Sequence, residues 1–299
     1  QMAGAGLDAR AIERLHWPLK KKIGQLAYLV AGINALRNAP SNITVTQGAN
    51  SACGELVLIG NGRLYGGHFT IFPRADLRDG LVPVVRDATG PAVLWLLEGE
   101  ALWNRKAGTA GKACADCHGD AGKSMKGVAA RFPAFDYSVG KLTNLEQRIN
   151  LCRTEQQQAP ALAYESRELL ALSAFVGRQS RGLPIEVKVD DKTKPFLDAG
   201  RAAFNRRQGQ LNLSCAQCHG DNWGKSLAGN PIPQAHPTGY PLYRLEWQSL
   251  GSLQRRLRNC FIGVRAEPYA YGSPEFVDLE LYLMWRARGM KLETPAVRP

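Results

Sequence analysis

The sequence predicts a mainly α-helical protein in which two repeated modules follow a mixed, partly β N-terminal segment. Three observations predict this fold class. The chain aligns with itself at an offset of about one hundred residues. Apolar residues recur at helical spacing in both copies of the repeat, whereas the first 93 residues contain short apolar or alternating runs between Gly and Asn turns.

The repeat consists of six matched segments that keep the same order in both copies. Written as first copy with second copy, the segments are 99–108 with 200–209, 114–120 with 215–221, 122–127 with 224–229, 145–152 with 253–260, 163–168 with 270–275, and 181–182 with 288–289. Chance does not supply six pairs in register. We therefore predict one module in residues 94–188, a second module in residues 189–299, and a separate segment in residues 1–93.

A helix that carries a cysteine is predicted in each copy. Leu145, Ile149 and Cys152 share one helical face, and the same apolar spacing ends at Cys260 in the second copy. Thr143, with a glutamate three residues later, has the spacing of a capping box. Each predicted helix therefore aims its cysteine at the core of its module.

The closing helix of each module is predicted over residues 168–177 and 275–288. Gly182 and Gly289 follow these helices and are predicted to end them, because glycine is favoured just beyond a helix C-terminus.

The N-terminal segment has a different predicted pattern. A helical stretch over residues 19–37 precedes short strands predicted at residues 43–46, 54–59 and 68–72. Nothing in this segment repeats the two modules.

The chain is strongly basic, with a formal net charge of +12 and a sequence pI of about 9.5. A basic balance favours anionic partners. The charge is spread along the chain, and its longest basic run, Lys20–Lys22, is only three residues long. This distribution favours a small oxyanion or an acidic protein surface, and we expect no nucleic-acid partner.

No membrane span is expected, because no stretch reaches the ~18 continuous apolar residues that a spanning helix needs. Residues 23–35, directly after Lys20–Lys22, superficially resemble an export signal. They begin well inside the chain and lack a convincing cleavage site, so an ordinary amphipathic helix is the favoured interpretation.

Two CxxCH motifs, one in each copy, predict two covalently bound haem c groups and hence class I-like cytochrome c modules. The two thiols of such a motif add to the haem vinyl groups, and the imidazole binds the iron. The predicted haem-binding residues are Cys114, Cys117 and His118 in the first copy and Cys215, Cys218 and His219 in the second. A zinc site or disulfides are the alternatives. Since such haems are attached outside the bacterial cytoplasm, we expect a periplasmic protein.

The second iron ligand is predicted to be a cysteine in each module. Methionine is the usual sulfur ligand of electron-transfer cytochromes, but Met125, Met284 and Met290 do not occupy equivalent places in the two copies. Cys152 and Cys260 do. A disulfide between these two cysteines, or buried inert thiols, remain the alternatives.

A thiolate ligand donates charge to ferric iron and is expected to lower its reduction potential. His236 is a weaker candidate for the ligand in the second module, because the first module has no counterpart. A surface-loop histidine is the favoured interpretation of this residue.

Residues 94–299 resemble the SoxA family, the dihaem cytochrome subunits of a bacterial thiosulfate-oxidising complex. The resemblance is carried by CADCHGDAGKSMKGVAARFPAFD, NLEQRINLCRTEQQ, NLSCAQCHGDNWGKSL, YRLEWQSLGSLQRRLRNC and GVRAEPYAYGSPEF. It implies an L-cysteine S-thiosulfotransferase that couples thiosulfate oxidatively to a cysteine of the carrier protein SoxYZ. It also implies that electrons pass through haem to a monohaem cytochrome partner, SoxX.

The resemblance further implies roles for individual residues. Cys260 would be the ligand of the active-site haem and would carry an extra sulfur as a persulfide. Arg256, one helical turn earlier, would bind the substrate, and Cys152 would ligate the first haem. A dihaem cytochrome that only transfers electrons is the alternative function, which a Met or His ligand would favour and paired cysteines disfavour.

Residues 2–88 resemble the middle and C-terminal portion of bacterial diacylglycerol- or sphingosine-type lipid kinases, through MAGAGLDARAIERL, LKKKIGQLAYLVAGINALR and GNGRLYGGHFTIFPRADLRDGLVPV. That family's structural metal would fall on Asp76, Asp79 and the Leu81 carbonyl. The phosphate-cradling segment of those kinases is absent, so residues 1–93 are expected to be a lipid-kinase-like fragment without function, joined to the cytochrome near residues 86–91 in a chimeric reading frame.

Overall fold

The structure is a computed structural model that describes residues 92–227 and 229–298, together with the backbone of short strands in the first 86 residues. The chain divides into two compact units, residues 1–93 and residues 94–299. Within the second unit, we call residues 94–188 the first half and residues 189–299 the second half.

The N-terminal unit contains antiparallel strands. They are β1 (Met2–Gly6), β2 (Ile43–Gln47), β3 (Asn50–Gly54), β4 (Leu56–Gly60), β5 (Leu64–Tyr65), β6 (Phe69–Thr70) and β7 (Val82–Arg86). The strand order is β1-β4-β7 in one sheet, with β2-β3 and β5-β6 as separate pairs. The helix predicted over residues 19–37 and the metal site predicted at Asp76 and Asp79 lie outside the described residues.

The first half is mainly helical. Its elements are α1 (Val93–Asn104), α2 (Cys114–His118), α3 (Ala121–Ser124), a 3-10 turn (Ala129–Arg131), β8 (Ala134–Asp136), β9 (Lys141–Thr143), α4 (Leu145–Leu151), a π-helical turn (Cys152–Gln156) and α5 (Arg167–Arg178). Strands β8 and β9 form an antiparallel hairpin that leads directly into α4.

The second half follows a similar order. Its elements are α6 (Lys194–Asn205), α7 (Cys215–His219), β10 (Ser226–Leu227), β11 (Asn230–Pro231), β12 (Leu242–Arg244), β13 (Ser249–Gly251), α8 (Leu253–Gly263), α9 (Pro274–Arg286) and β14 (Val297–Arg298). Strands β12 and β13 form the hairpin before α8, and β14 adds to β12 in parallel. Within the described residues, no helix has the length and apolarity needed to cross a bilayer.

Serine caps start the closing helix of each half. The Ser166 hydroxyl accepts from the Leu169 amide at 3.3 Å, and the Ser273 hydroxyl accepts from the Phe276 amide at 3.4 Å. The helices end at Arg178 and Arg286, slightly displaced from the predicted boundaries. The glycines predicted as stops, Gly182 and Gly289, both have a φ of +81°, which suits a residue without a Cβ.

The cap of α4 differs from the prediction. Thr143 lies in β9, where it pairs with Ala134, and the cap is Asn144. The Asn144 side chain accepts from the Gln147 amide at 2.9 Å, and the Gln147 side chain accepts from the Asn144 amide at 3.2 Å. Because Thr143 pairs within the hairpin, the next residue, Asn144, caps the helix.

A glycine allows two helices to cross closely in each half. A Cβ on Gly99 of α1 would overlap the backbone of Ala171 in α5, and a Cβ on Gly200 of α6 would overlap the backbone of Asp278 in α9. Only glycine permits this approach. The crossings hold the first and last helix of each half together.

The core of the second half surrounds α9. Phe276, Leu279 and Leu283 of this helix are almost fully buried against Phe204 and Phe261. Burial of each such side chain contributes roughly 1.5–3 kcal/mol. This cluster lies directly against the helix that carries the second CxxCH motif, since Cys215 packs on it.

The segments matched as 122–127 and 224–229 do not share a structure. The first begins within α3, whereas the second forms the β10–β11 hairpin, with Gly224 and Gly229 at positive φ. The chain between the CxxCH motif and the hairpin before the cysteine-bearing helix, β8–β9 or β12–β13, is seven residues longer in the second half, which accommodates β10 and β11.

Candidate haem and anion site

The two CxxCH motifs form short helices with one capping pattern. In α2 the Ala113 amide donates to Asp116 Oδ2 at 2.8 Å, and in α7 the Ser214 amide donates to Gln217 Oε1 at 3.0 Å. The residue just before the second cysteine of each motif therefore caps the N-terminus of its helix. Cysteines three residues apart on a helix lie on the same face, so each motif presents both thiols to one side.

The imidazole of His219 is oriented for metal binding. Its Nδ1 lies 2.7 Å from the Pro233 carbonyl oxygen, and because a carbonyl only accepts, Nδ1 carries the proton and Nε2 offers its lone pair. Burial lowers the pKa of His219, the Pro233 carbonyl opposes this shift, and Arg256 and Arg286 lower the pKa further. The neutral ring is the form that binds a metal.

The first half holds its histidine differently. The His118 ring lies 5.7 Å from the Trp103 ring, and the Trp103 indole donates to the Gly119 carbonyl at 3.1 Å. Trp103 thus fixes the end of the helix that carries His118. Among the described residues, His118 has no carbonyl partner comparable to Pro233.

Cys152 and Cys260 each lie close to the attachment cysteines of their own half. Burial raises the pKa of Cys114, with a further contribution from Cys152, and burial raises the pKa of Cys215 to about 11, with a further contribution from Cys260. The six cysteines of the described residues, these four with Cys117 and Cys218, are free thiols, so Cys152 and Cys260 form no disulfide with each other.

The helix geometry at Cys152 differs from that at Cys260. Cys260 lies inside the continuous helix α8. At Cys152 the α-helix widens into a π-helical turn that runs to Gln156. π-turns are often found at functional sites, and here the turn ends the helix at the cysteine.

The charges around the two cysteines also differ. In the first half Arg148 Nη1 contacts Asp136 Oδ2 at 2.8 Å. In the second half Arg256 occupies the place of Arg148, and Arg244 occupies the place of Asp136. Within the described part of the chain, Arg256 forms no ion pair with a carboxylate.

These charges act on Cys260 and Tyr240. Burial raises the pKa of Cys260, which Arg256 and then Arg244 counteract. Burial likewise raises the pKa of Tyr240 to about 12, again against the effect of Arg256. A half-buried thiol, a phenol and two guanidinium groups therefore share one region.

The second half also contains an orphaned cation that fits a haem. The Nη1 atom of Arg286 is buried without a hydrogen-bond partner, while its guanidinium lies 4.5 Å from the Phe204 ring centre. It is close enough to His219 to lower the pKa of that imidazole. A buried donor needs an acceptor, and the carboxylate of a haem bound at this CxxCH motif would supply one.

Other predicted candidates lie apart from these groups. His236 is half-buried in a loop, where burial lowers its pKa with a smaller contribution from Arg286. Met284 is buried in the core, Met290 is exposed, and Met125 packs beside Trp103. The described residues contain no group of three or more His, Cys, Asp or Glu side chains that could hold a metal ion.

Sequence reasoning missed a pair of neighbouring carboxyl groups, of which Glu280 is buried and Glu146 is half-buried. Burial, with Glu165, raises the pKa of Glu146 to about 7, and burial, with Glu146, raises the pKa of Glu280 to about 8. Asn144 donates to Glu280 at 3.0 Å across the contact between the two halves. The signal was present, since Glu280 interrupts the apolar face of α9 one turn after Phe276.

Comparisons with known proteins identify relatives of both units. A family model described as the SoxA/TsdA cytochrome c domain matches residues 98–185 and 199–292. A second family model, described as the YegS C-terminal NAD kinase beta sandwich-like domain, matches residues 1–98. Both resemblances drawn from the motifs are thereby confirmed.

Individual relatives agree with the first model. The chain is 39% identical over 212 residues to the L-cysteine S-thiosulfotransferase subunit SoxA of Rhodovulum sulfidophilum, covering 71% of this chain and 74% of the relative. It is 36% identical over 209 residues to the SoxA subunit of Pseudaminobacter salicylatoxidans, covering 70% and 73%. The crystal structure of SoxXA from P. pantotrophus matches with a TM-score of 0.68 and 34% identity, covering 70% of this chain and 79% of that chain.

Proposed function

Because this chain belongs to the SoxA family and carries haem c, we propose that it is an L-cysteine S-thiosulfotransferase that couples thiosulfate to a cysteine of a carrier protein. The observation that carries the proposal is the position of Cys260. It is a half-buried thiol beside the second attachment helix, within reach of the electrostatic influence of Arg256.

We propose two haems, one in each half. Cys114, Cys117 and His118 would hold the first, with Cys152 as the second iron ligand. Cys215, Cys218 and His219 would hold the other, with Cys260 as its second ligand. The matching order of elements supports two class I-like cytochrome c modules in residues 94–188 and 189–299, with residues 1–93 as a lipid-kinase-like segment that has no role in the reaction.

The overall reaction forms one sulfur–sulfur bond. The terminal sulfur of thiosulfate joins the sulfur of the carrier cysteine, and two electrons and one proton leave. When bound, the haem of the second half supplies an iron that accepts electrons. Arg256 binds the anion through charge-assisted hydrogen bonds, Cys260 supplies the sulfur at the reacting centre, and the Pro233 carbonyl keeps Nε2 of His219 unprotonated.

The same proposal assigns partners. A SoxX-type monohaem cytochrome would receive the electrons, in line with the SoxXA complex of the structural relative. A SoxYZ-type carrier would present the cysteine. Both proteins would meet this chain in the periplasm, where haem c is attached.

The test compares two cysteines in matching positions. Cys260→Ala should abolish thiosulfate conjugation to the carrier, because it removes the reacting sulfur. Cys152→Ala should change the absorption spectrum of the first haem and leave substantial turnover. Turnover is measured as thiosulfate-dependent haem reduction with carrier and SoxX-type partner present, after haem content has been verified.

The alternative function, electron transfer alone, gives the opposite result. If fully haem-loaded Cys260→Ala retains near-normal thiosulfate-dependent reduction, sulfur transfer at Cys260 is wrong and an electron-transfer cytochrome is the better description.

A further inference from the structure

We infer that Glu146 and Glu280 form one proton-binding site between the two halves, and that this site takes up a proton when the haems are reduced. The inference rests on the proposed function, because the two haems and the released proton both come from it. It deepens that function by naming where the proton of the coupling reaction goes, to which the roles of Cys260 and Arg256 give no answer.

The pair lies where the two cysteine-bearing helices begin. Glu146 is the second residue of α4, and Gln254 is the second residue of α8. Each stands six residues before the cysteine of its half, which is a helix rise of about 9 Å. Glu280 of α9 meets the start of α4, because the Asn144 side chain donates to Glu280 Oε2 at 3.0 Å. One carboxyl pair is therefore close to both candidate iron ligands.

No cation neutralises this pair. Among the described residues, neither Glu146 nor Glu280 forms an ion pair with a Lys, Arg or His side chain. A third carboxylate, Glu165, acts on Glu146, and the cation near Glu165 is Arg255, 3.8 Å away. Two neighbouring carboxylates without a cation do not both stay ionised where water is largely excluded. The pair therefore retains a proton that it can exchange.

The other groups that face the pair do not compete for this proton. The Tyr164 hydroxyl donates to Asn144 Oδ1 at 3.2 Å. Burial, with Glu146 and Glu280, raises the pKa of Tyr164, so this phenol stays protonated. Burial raises the pKa of Glu146 to about 7 and that of Glu280 to about 8. The pair itself is thus the group that gains and loses a proton near neutral pH.

A buried donor beside Glu280 indicates that water reaches the site. Gln254 is 0% exposed, and its Oε1 accepts from the Gly272 amide at 2.7 Å, which fixes the orientation of the side-chain amide. Its Nε2 makes no hydrogen bond of normal geometry with a described residue, although it lies close enough to Glu280 to counteract the effect of burial on that carboxyl. A buried donor needs an acceptor, and a water that bridges Gln254 and Glu280 would satisfy it.

A pocket of about 70 Å³ gives the pair access to solvent. This volume has room for water, and residues of both halves line it, including Glu146, Glu280 and Tyr240. Glu146 is half-buried and Glu280 is 6% exposed, so Glu146 is the member that exchanges protons with water. Tyr240 lies within electrostatic reach of Cys260. The same pocket therefore extends from the pair toward the candidate reaction centre.

Proton uptake at the pair balances the charge that the reaction delivers. Coupling forms a bond between the terminal sulfur of thiosulfate and the carrier sulfur, and the S–H bond of the carrier cysteine breaks. Two electrons pass to haem, which makes the interior more negative and raises the proton affinity of a nearby carboxylate. The pair binds the proton, which returns to water through the pocket when the SoxX-type partner removes the electrons.

The experiment measures the reduction potentials of both haems in the haem-loaded full chain by spectroelectrochemical titration, without thiosulfate or carrier. Electron binding and proton binding are reciprocal. The potentials should therefore fall as pH rises, most steeply around 7 to 8. The slope is at most about 59 mV per tenfold change in proton concentration when one proton accompanies each electron.

Replacing both carboxyl groups, Glu146→Gln together with Glu280→Gln, should remove this slope because an amide binds no proton. Glutamine fits the place of Glu146, since Gln254 stands at the equivalent position of the second half. Each single variant relieves the repulsion between the carboxylates and should move the slope to lower pH. In the reduced-minus-oxidised infrared difference spectrum, a protonated-carboxyl band should appear in wild type and be lost in the double variant.

Two control variants change carboxyl groups outside the pair. Asp278→Asn removes the other carboxyl of α9 whose pKa is raised by burial, in this case to about 6, and should keep the slope around 7 to 8. The exposed Glu186→Gln should also keep it. The absorption spectra of both haems verify that each variant is loaded. If the double variant loses haem, the shifted slopes of the single variants decide.

The outcomes separate this inference from the proposed function. If the wild-type potentials do not change with pH, or the double variant keeps the wild-type slope, the proton site is wrong and sulfur transfer at Cys260 is unaffected. If the double variant loses the slope but Cys260→Ala retains thiosulfate-dependent reduction, the proton site stands and the proposed function fails.

Discussion

The two halves of residues 94–299 share the order of their main elements, which we call the frame, and differ in the residues around Cys152 and Cys260. Both have a glycine crossing, a capped CxxCH helix, and a hairpin that leads into a cysteine-bearing helix. Yet the strand-end residue is Asp136 in one half and Arg244 in the other. The comparison teaches that the same order of elements can carry residues of opposite charge at the end of the strand before the cysteine-bearing helix.

The most drastic way to break the comparison is to remove one attachment site. The double variant of Cys114 and Cys117 to Ser, and that of Cys215 and Cys218 to Ser, should each lose one haem of two, because each half carries a complete motif. Intact mass and pyridine haemochrome assays give the count. A wild-type count near one, or loss of both haems in either variant, would contradict independent attachment.

A smaller effect tests the shared frame. Gly99→Ala and Gly200→Ala should each destabilise the protein by about 1–3 kcal/mol, because the new Cβ meets the backbone of the facing helix. Denaturant unfolding of the haem-loaded chain, followed by far-ultraviolet circular dichroism, measures the change. The exposed Ala202→Ser on α6 serves as control and should stay within about 0.5 kcal/mol of wild type. Equal stability of the glycine variants and the control would rule out the close crossing.

The smallest effect concerns the carboxyl pair where the halves meet. Burial raises the pKa of Glu280 from its usual 4.5 to about 8, with Glu146 adding to the shift. The folded protein therefore holds a proton that the unfolded chain has lost, and stability should fall as pH rises between about 4.5 and 8. The slope is at most about 1.4 kcal/mol per pH unit for each proton.

Glu280→Gln should flatten this pH dependence, since the amide can still accept from Asn144 but does not ionise. Thermal unfolding at several pH values measures the slope. The exposed Glu186→Gln should keep the wild-type slope. An unchanged slope in Glu280→Gln would show that the pair does not hold the proton.

Sequence reasoning placed the elements that depend on local patterns. The CxxCH spacing marked both predicted haem-attachment motifs, and apolar periodicity located α4, which ends directly before Cys152, and α8, which contains Cys260. Such patterns can be recognised in the sequence because backbone hydrogen bonding and amphipathicity act over a few neighbouring residues. The cap is Asn144 instead of the predicted Thr143, because Thr143 pairs within a hairpin that local patterns did not predict.

What sequence reasoning missed depends on contacts between distant segments. The pair of Glu146 and Glu280 forms only when the two halves pack together, and the Pro233 carbonyl reaches His219 only through a longer loop. Arg244 is an intermediate case. Alignment of PAFD at 133–136 with PLYR at 241–244 would have shown that Arg244 stands in the place of Asp136. The pairing of Arg244 with Ser249 across the hairpin is visible only in the structure.

The glycine crossings have a consequence for how two such halves diverge. Fifteen residues separate Gly99 from Cys114 and also Gly200 from Cys215, whereas 34 residues separate His118 from Cys152 and 41 separate His219 from Cys260. An insertion before the CxxCH motif would shift both thiols relative to the helix crossing. The loop beyond each histidine has no such constraint, and it is there that the two halves differ in length.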